Sequence, residues 1–217
     1  MHDNENKRRS RLFNLKVWGE NACFTRPEMK VERVSYDAMT PSAARGILEA
    51  IHWKPAIKWH ITQIDVLNPI KWTSVRRNEV GIKMSPSSKQ LFIEDQRQQR
   101  AGLFLRDVAY VIHAFFRMTD KAGPDDNLAK HEEMFMRRAK KGQCFHRPCL
   151  GCREFAADFE LLDDKDLPQT ITDTKDLGWM LYDIDFNNGE PKPMFFRAYL
   201  ENGSIVVPPL GSSEVRK

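Results

Sequence analysis

The segment from Thr40 to Pro55 constrains the fold most, because it marks both ends of one helix. Thr40 is a residue type that accepts hydrogen bonds from the free N–H groups of a first helical turn, and Pro41 suits the first helical position. Lys54 precedes a proline and therefore disfavours helical backbone, which ends the segment. The apolar stripe at helical spacing consists of Ala44, Ile47, Leu48 and Ile51. We therefore expect an amphipathic helix with one buried face.

Strand patterns surround this helix. Residues 11–18 alternate between apolar and polar side chains and predict a first strand. Residues 56–67 and 70–75 predict two more. Residues 103–116 predict a long strand, although their length also permits a helix. The polar segment 85–100 predicts a solvated loop.

The second half contains one more helix pattern, at residues 127–141, which stops at Gly142. Four short strand-like segments separated by Gly, Pro and Asn follow it and predict an antiparallel sheet. This order predicts an α+β chain with a ferredoxin-like (RRM-like) domain at residues 1–150, including a polar loop near 85–100. A small C-terminal antiparallel β-sheet region is expected at residues 151–217.

Composition excludes a membrane-spanning helix and is compatible with a polyanionic partner. No apolar run in the 217 residues approaches the roughly 20 needed to cross a bilayer, and the polar N-terminus lacks an apolar signal core. We therefore expect a cytoplasmic protein. The net charge of +4 is compatible with nucleic acid binding.

A cluster of cysteines leaves one metal alternative open. Cys144, His146, Cys149 and Cys152 offer three thiols and one imidazole, the donor types that zinc uses. Structural zinc sites usually draw two pairs from separated segments, and this cluster is compressed. We expect no metal and reduced thiols, with a zinc-dependent nucleic-acid-binding module as a rival hypothesis.

Several stretches together resemble one known family over nearly the whole chain. They are the segment around SYDAMTPSAARGILEAIHWKP within residues 17–59, the run DQRQQRAGLFLRDVAYVIHAFF, the Lys130-His131 pair, the GCREF run and MFFRAYLENGSIVVP. They are similar to the Cas-five family, Dvulg subtype, the pre-crRNA-processing subunits of type I-C CRISPR systems.

This resemblance implies both a fold and an activity. The fold is ferredoxin-like with an extra C-terminal sheet. The activity is metal-independent cleavage of CRISPR repeat RNA without a cofactor, after which the protein holds the crRNA 5′ handle. Its expected partners are the backbone and large subunits of the type I-C Cascade, with target DNA reached only through that complex and no membrane contact. A catalytically silent RNA-binding subunit of the same complex is the alternative.

The resemblance also implies a catalytic set, an aromatic residue before the WKP motif and a Lys-His pair. In this chain these positions are His52, where some members carry tyrosine, together with Lys130 and His131. Histidine suits the transfer of the 2′-OH proton because its pKa lies near 6.5, and lysine suits stabilisation of phosphorane charge. A helix C-terminus is expected to raise the pKa of His52, which would make it an acid or an electrostatic contact, and His131 would then be the base or orient the 2′-OH.

Basic and aromatic residues are the candidates for RNA contact. One basic cluster follows the Lys-His pair by about two helical turns and is expected to track phosphates. Phe24 and Tyr36 are stacking candidates, although a core position is the first interpretation of both, and Trp53 is expected to pack. The complete expected RNA-binding set is Phe24, Arg26, Tyr36, Arg45, Lys54, Arg137, Arg138, Lys140 and Lys141.

Overall fold

A computed structural model describes residues 8–29, 31–87, 90–186 and 191–217. Within them the chain forms two α-helices and eight β-strands. In chain order they are β1 (Phe13–Ala22), α1 (Pro41–Ile51), β2 (Ile57–Val66), β3 (Lys71–Val80), β4 (Arg97–Met118), α2 (Leu128–Lys140), β5 (Asp158–Leu162), β6 (Lys175–Asp185), β7 (Lys192–Leu200) and β8 (Ser204–Val206).

The strands form two sheets. The larger has the order β5-β1-β4-β2-β8, with β3 paired to β4 outside this path, and β6 and β7 form the second. The paired strands are antiparallel throughout. The α+β class with mostly antiparallel sheets is therefore confirmed.

Strand β4 is the organising element of the large sheet. Its 22 residues pair with β3 over their first half and with both β1 and β2 over their second half. The long segment around 103–116 is therefore a strand. The predicted loop at 85–100 is wrong at its end, because Arg97–Arg100 already pair with β3. Polar side chains do not prevent strand formation here, because pairing with β3 supplies the backbone hydrogen bonds.

Both predicted helices are confirmed by their caps. The Thr40 hydroxyl accepts from the N–H of Ala43 at 3.2 Å, and Pro41 opens α1. In α2 the Asn127 side chain accepts from the N–H of Lys130 at 2.9 Å. Beyond its C-terminus Gly142 adopts φ 63°, a conformation that glycine tolerates.

An aromatic cluster packs α2 onto the large sheet. The rings of Phe13 and Trp59 lie 4.9 Å and 4.8 Å from the ring of Phe135 on α2, and Phe116 lies 5.1 Å from Trp59. The Trp59 indole donates to the carbonyl of His52 at 2.9 Å. This contact ties the end of α1 to the core and fixes the backbone at His52.

The boundary at residue 150 stays a prediction. Two strands beyond it, β5 and β8, pair with the large sheet, and only β6 and β7 form the separate one. The core contains residues from both sides, such as Ile112 and Phe196. Among the described residues no helix is long and apolar enough to cross a membrane.

Candidate active site

Two histidines that are 79 positions apart meet beside the ends of the two helices. His52 is the C-cap of α1, where its N–H donates to the carbonyl of Leu48 at 2.9 Å. His131 lies in the first turn of α2, positioned by the Asn127 cap. His52 Nε2 lies 3.1 Å from His131 Nδ1. The structure thus brings together two of the three expected catalytic residues.

A carboxylate and a guanidinium extend this pair into a chain. His131 Nε2 lies 3.1 Å from Asp126 Oδ1, and Arg138 Nη1 lies 3.5 Å from His52 Nδ1. Arg138 Nη1 also donates to the carbonyl of Ile51 at 2.8 Å. The four side chains therefore form one continuous series from Arg138 to Asp126.

The end groups set the direction of the hydrogen bonds. The Asp126 carboxylate only accepts, so His131 carries its proton on Nε2 and offers the Nδ1 lone pair to His52. His52 then donates from Nε2, which leaves its Nδ1 lone pair facing the Arg138 guanidinium. With both imidazoles neutral, this arrangement gives each of their four nitrogens a partner.

Burial governs the charge state of His52. The exposed fraction is 0% for His52 and 1% for His131. Burial, together with the nearby charges of His131, Arg138 and Lys54, lowers the pKa of His52 to about 4. The prediction that the helix C-terminus raises this pKa is therefore wrong, because desolvation and neighbouring cations outweigh the helix dipole.

Asp126 is a site residue that the sequence reasoning missed. Its carboxylate accepts the N–H of Gly123 at 3.0 Å, and this bond, with smaller contributions from His131 and Lys130, lowers the pKa of Asp126. Asp126 is therefore an anion at neutral pH. The only signal in the sequence was its place one residue before the Asn127 cap.

Lys130 reaches the same carboxylate from the solvent side. Its ammonium lies 3.7 Å from Asp126 Oδ1 and donates to the carbonyl of Asp125 at 3.1 Å. The Lys130 side chain is 44% exposed, whereas His131 next to it is buried. Asp126 thus joins an accessible cation to a buried imidazole.

The predicted basic cluster splits into two groups. Arg137, Lys140 and Lys141 are exposed at the C-terminal end of α2, where cations also complement the helix dipole. Arg138 is half-buried and turns towards His52. Lys54 is exposed just beyond α1.

Four of the other RNA-binding candidates are buried or paired within the protein. Phe24 and Tyr36 are each 2% exposed, so their rings lie in the core and present no free face for stacking. The guanidinium of Arg26 covers the Tyr36 ring at 4.5 Å and pairs with Asp37 at 3.3 Å. Arg45 pairs with two carboxylates, those of Glu49 at 2.7 Å and Asp183 at 2.8 Å, which neutralise its charge.

Two exposed aromatic residues were missed. Trp53 is 53% exposed, so the prediction that it packs in the core is wrong, and Phe145 is 75% exposed. Both line a cleft of about 570 Å³ together with Lys54 and Arg138. The tryptophan of the WKP motif was visible in the sequence, but its exposure follows from the end of α1 two residues earlier.

The cysteine cluster does not form a metal site in the described part of the chain. Cys144 is exposed and Cys149 half-buried, while Cys152 turns towards the carbonyl of Cys23 at 3.6 Å. Among residues 8–29, 31–87, 90–186 and 191–217, no three His, Cys, Asp or Glu side chains converge as metal ligands would. The zinc hypothesis therefore has no support in the geometry.

Comparison with known proteins gives concordant matches. The model of the CRISPR-associated protein (Cas_Cas5) family, Cas_Cas5d, matches residues 13–208. The chain is 58% identical to the CRISPR pre-crRNA endoribonuclease Cas5d of Mannheimia succiniciproducens, over 94% of this chain and 98% of that protein. It is 45% identical to the protein of the same name from Thermus thermophilus, over 90% of this chain and 91% of that one.

Solved structures share the fold. One, titled as the crystal structure of a CRISPR-associated protein, superposes with a TM-score of 0.73 at 24% identity, covering 96% of this chain and 98% of that one. A chain of a CRISPR RNA-guided surveillance complex superposes with a TM-score of 0.51 at 11% identity, covering 90% and 88%.

Proposed function

This chain belongs to the Cas5d family of CRISPR-associated proteins, and from that membership we propose that it is an endoribonuclease that cleaves CRISPR repeat RNA. Two relatives at 58% and 45% identity are named as such enzymes. The observation that carries the proposal is the 3.1 Å contact between His52 and His131, with Asp126 and Lys130 beside it.

The proposed reaction is a metal-independent transesterification. The RNA 2′-oxygen loses its proton, forms a bond to the adjacent phosphorus and expels the 5′-oxygen, which leaves a 2′,3′-cyclic phosphate. His131 is the base, Lys130 stabilises the charge that develops on the phosphorane, and its ammonium can protonate the leaving oxygen.

RNA binding would have to break the series of hydrogen bonds from Arg138 to Asp126 before His131 could act. A phosphate that draws Arg138 away from His52 Nδ1 lets that nitrogen take a proton from water, while the proton on His52 Nε2 passes to His131 Nδ1. His131 then donates from Nδ1 to His52 Nε2, and it returns its own Nε2 proton to water once Asp126 moves aside, which leaves the Nε2 lone pair free. In this scheme His52 is a positioning residue that selects the reactive tautomer of His131.

The burial of both imidazoles favours a second candidate. A subunit that binds repeat RNA without cutting it needs the exposed cations but not an accessible histidine. Exposed fractions of 0% and 1% and a pKa of about 4 for His52 suit a structural pair of neutral histidines.

We also propose a ferredoxin-like core and retention of the product in a type I-C Cascade. The succession β1-α1-β2-β4-α2-β5 with the spatial order β5-β1-β4-β2 supports the first, if β3 is an extension of the β4 ribbon. Family membership and the exposed cations of α2 support binding to the crRNA 5′ handle and to the backbone and large subunits.

Cleavage of an end-labelled type I-C repeat hairpin in excess EDTA tests the reaction. We expect a single cut with a 2′,3′-cyclic phosphate, reduced at least 100-fold in His131→Ala and Lys130→Ala and strongly in His52→Ala. Lys121→Ala, an exposed lysine in the loop before α2, is the matched control and should cut normally.

The alternatives give different results in this assay. Tight binding without a cut would establish the silent subunit. A cut that disappears in EDTA and returns with a divalent metal would overturn the metal-independent mechanism.

A further inference from the structure

A cleft beside His52 and Arg138 has no role in the reaction as proposed. It lies between the C-terminal half of α1 and the loop that follows α2, with a volume of about 570 Å³. Clefts of about 300–1,000 Å³ are typical of small-ligand sites. The loop is held against α1 because the N–H groups of Phe145 and His146 both donate to the carbonyl of Ala50, at 2.8 Å and 3.2 Å.

The walls of the cleft present aromatic faces to solvent. Trp53 and Phe145 both line it and are 53% and 75% exposed. The Phe145 ring already makes an edge contact with His146, with ring centroids 4.4 Å apart. Aromatic rings held at a cleft by backbone hydrogen bonds are platforms on which a planar ligand can stack.

The charge of the cleft selects an anionic ligand. Lys54 and Arg138 line it, and Arg138 is also the group that faces His52 Nδ1. The lining carboxylate of Glu49 pairs with Arg45 at 2.7 Å, so it does not offset these cations. A planar, anionic ligand that meets both aromatic rings and cations is a nucleotide.

The cleft has free space next to a glycine in its lining. Gly46 lies on the exposed side of α1, and a Cβ built there meets no atom within 4 Å. Glycine is unfavourable inside a helix. A larger side chain at this position would project into the cleft and occupy the space of a ligand.

We propose that this cleft binds one unpaired nucleobase of the repeat RNA, stacked on Trp53 and Phe145, with its phosphate on Lys54 and Arg138. The inference rests on the proposed RNA-binding function. Occupation of the cleft also couples binding to the histidines, because the phosphate that holds the base in place is the one that draws Arg138 from His52.

The test uses the full chain and repeat hairpins that cannot be cut. Each hairpin carries 2-aminopurine at one unpaired position and 2′-deoxyribose throughout its single-stranded part, and 2-aminopurine fluorescence falls when the base stacks. We expect strong quenching at one position. The quenching should be lost in Trp53→Ala, Phe145→Ala and Gly46→Leu, with hairpin affinity reduced about 5- to 100-fold.

Trp72→Ala is the matched control, because Trp72 is 37% exposed but lies on β3, paired with Leu105 in the first half of β4. Quenching should persist in this variant. No quenched position in the wild type, or quenching that persists in both Trp53→Ala and Phe145→Ala, would overturn the base pocket. Since Trp53 and Phe145 are exposed, we expect unchanged thermal midpoints for their variants.

The two proposals can fail separately. Site-specific quenching without cleavage of the ordinary repeat would retain the base pocket and overturn the nuclease. Cleavage without any quenched position would retain the nuclease and overturn the base pocket.

Discussion

At the scale of single residues, the central feature is a buried pair of histidines between a guanidinium and a carboxylate. A histidine at a helix C-terminus usually gains a proton, but His52 is enclosed and faces Arg138. The cost of desolvating a charge decides the outcome, since water is excluded from a group that is 0% exposed. In the proposed mechanism, the pair acts only after a ligand has moved its end groups.

The lowered pKa of His52 predicts a stability that depends on pH. Its ordinary pKa of about 6.5 applies to the unfolded chain, so the unfolded state takes up the proton first as the pH falls. The free energy of unfolding should therefore be highest above pH 6.5 and fall towards pH 4, by at most about 3 kcal/mol from this group.

Urea unfolding of the wild type and of His52→Gln at pH 7 and pH 5 measures this effect. The difference between the two pH values should shrink in His52→Gln but persist in part, because burial also lowers the pKa of His60 to about 4. Replacement of the exposed His146 by Gln should leave the difference unchanged. An equal difference in wild type and His52→Gln would show that His52 is not the titrating group.

At the scale of elements, the candidate site lies where α1 ends and α2 begins. α1 ends at His52 and presents Trp53 and Lys54 beyond it, while α2 begins beside Asp126 and carries its exposed cations at the far end. Because the side chain of Arg138 returns from α2 to the carbonyl of Ile51, a hydrogen bond joins the two helices.

The exposed cations of α2 predict a salt-dependent, sequence-independent contribution to binding. Arg137→Ala or Lys141→Ala should weaken binding of the repeat hairpin and of unrelated RNA alike, because phosphates carry no base information. Each should lower the slope of log affinity against log salt concentration by about 1.

Titrations at several salt concentrations measure these slopes, with Lys83→Ala, an exposed lysine beyond β3, as the control. An unchanged affinity accompanied by a displaced cleavage position would contradict a role for α2 in holding the backbone.

At the scale of the whole molecule, a buried polar network joins four strands of the large sheet. His113 on β4 contacts Asn14 on β1 at 2.8 Å and Asp65 on β2 at 2.7 Å. Ser204 on β8 donates to the same carboxylate at 2.7 Å. The network thus connects the N-terminal strand to a strand near the C-terminus.

Asp65 is the charged centre of this network, and its loss should destabilise the whole fold. Burial alone would raise the pKa of Asp65, but hydrogen bonds from His113, Ser204 and Gln63 outweigh it and lower the pKa. The stabilisation is therefore present above the ordinary pKa of an aspartate and is lost in acid.

Asp65→Asn should lower the free energy of unfolding at pH 7 by about 3 kcal/mol, measured by urea unfolding. Asp163→Asn, an exposed aspartate after β5, should change it by less than about 0.5 kcal/mol. Equal effects of the two substitutions would show that the network does not hold the sheet together.

Local sequence patterns were sufficient to identify both helices and most of the strands. Thr40, Pro41 and Asn127 act within a few residues of their own position, so capping and periodicity identify both helices and most of the strands. The Lys130-His131 pair was found by resemblance to a family. The polar residues at 97–100 were assigned wrongly, because partner strand β3 determines their conformation.

The contacts of the site depend on packing between distant segments, which local patterns do not describe. The register of β4 against β1 and β2, and the packing of α1 and α2 on that sheet, bring His52 to His131, place Asp126 behind it and leave Trp53 at the surface. The same packing removes Phe24 and Tyr36 from solvent and neutralises Arg45. The sequence alone therefore determined the two helices and the approximate positions of most strands, but not the ends of β3 and β4. Tertiary structure alone decided which side chains are buried, charged or accessible, because burial and charge state depend on neighbours from across the chain.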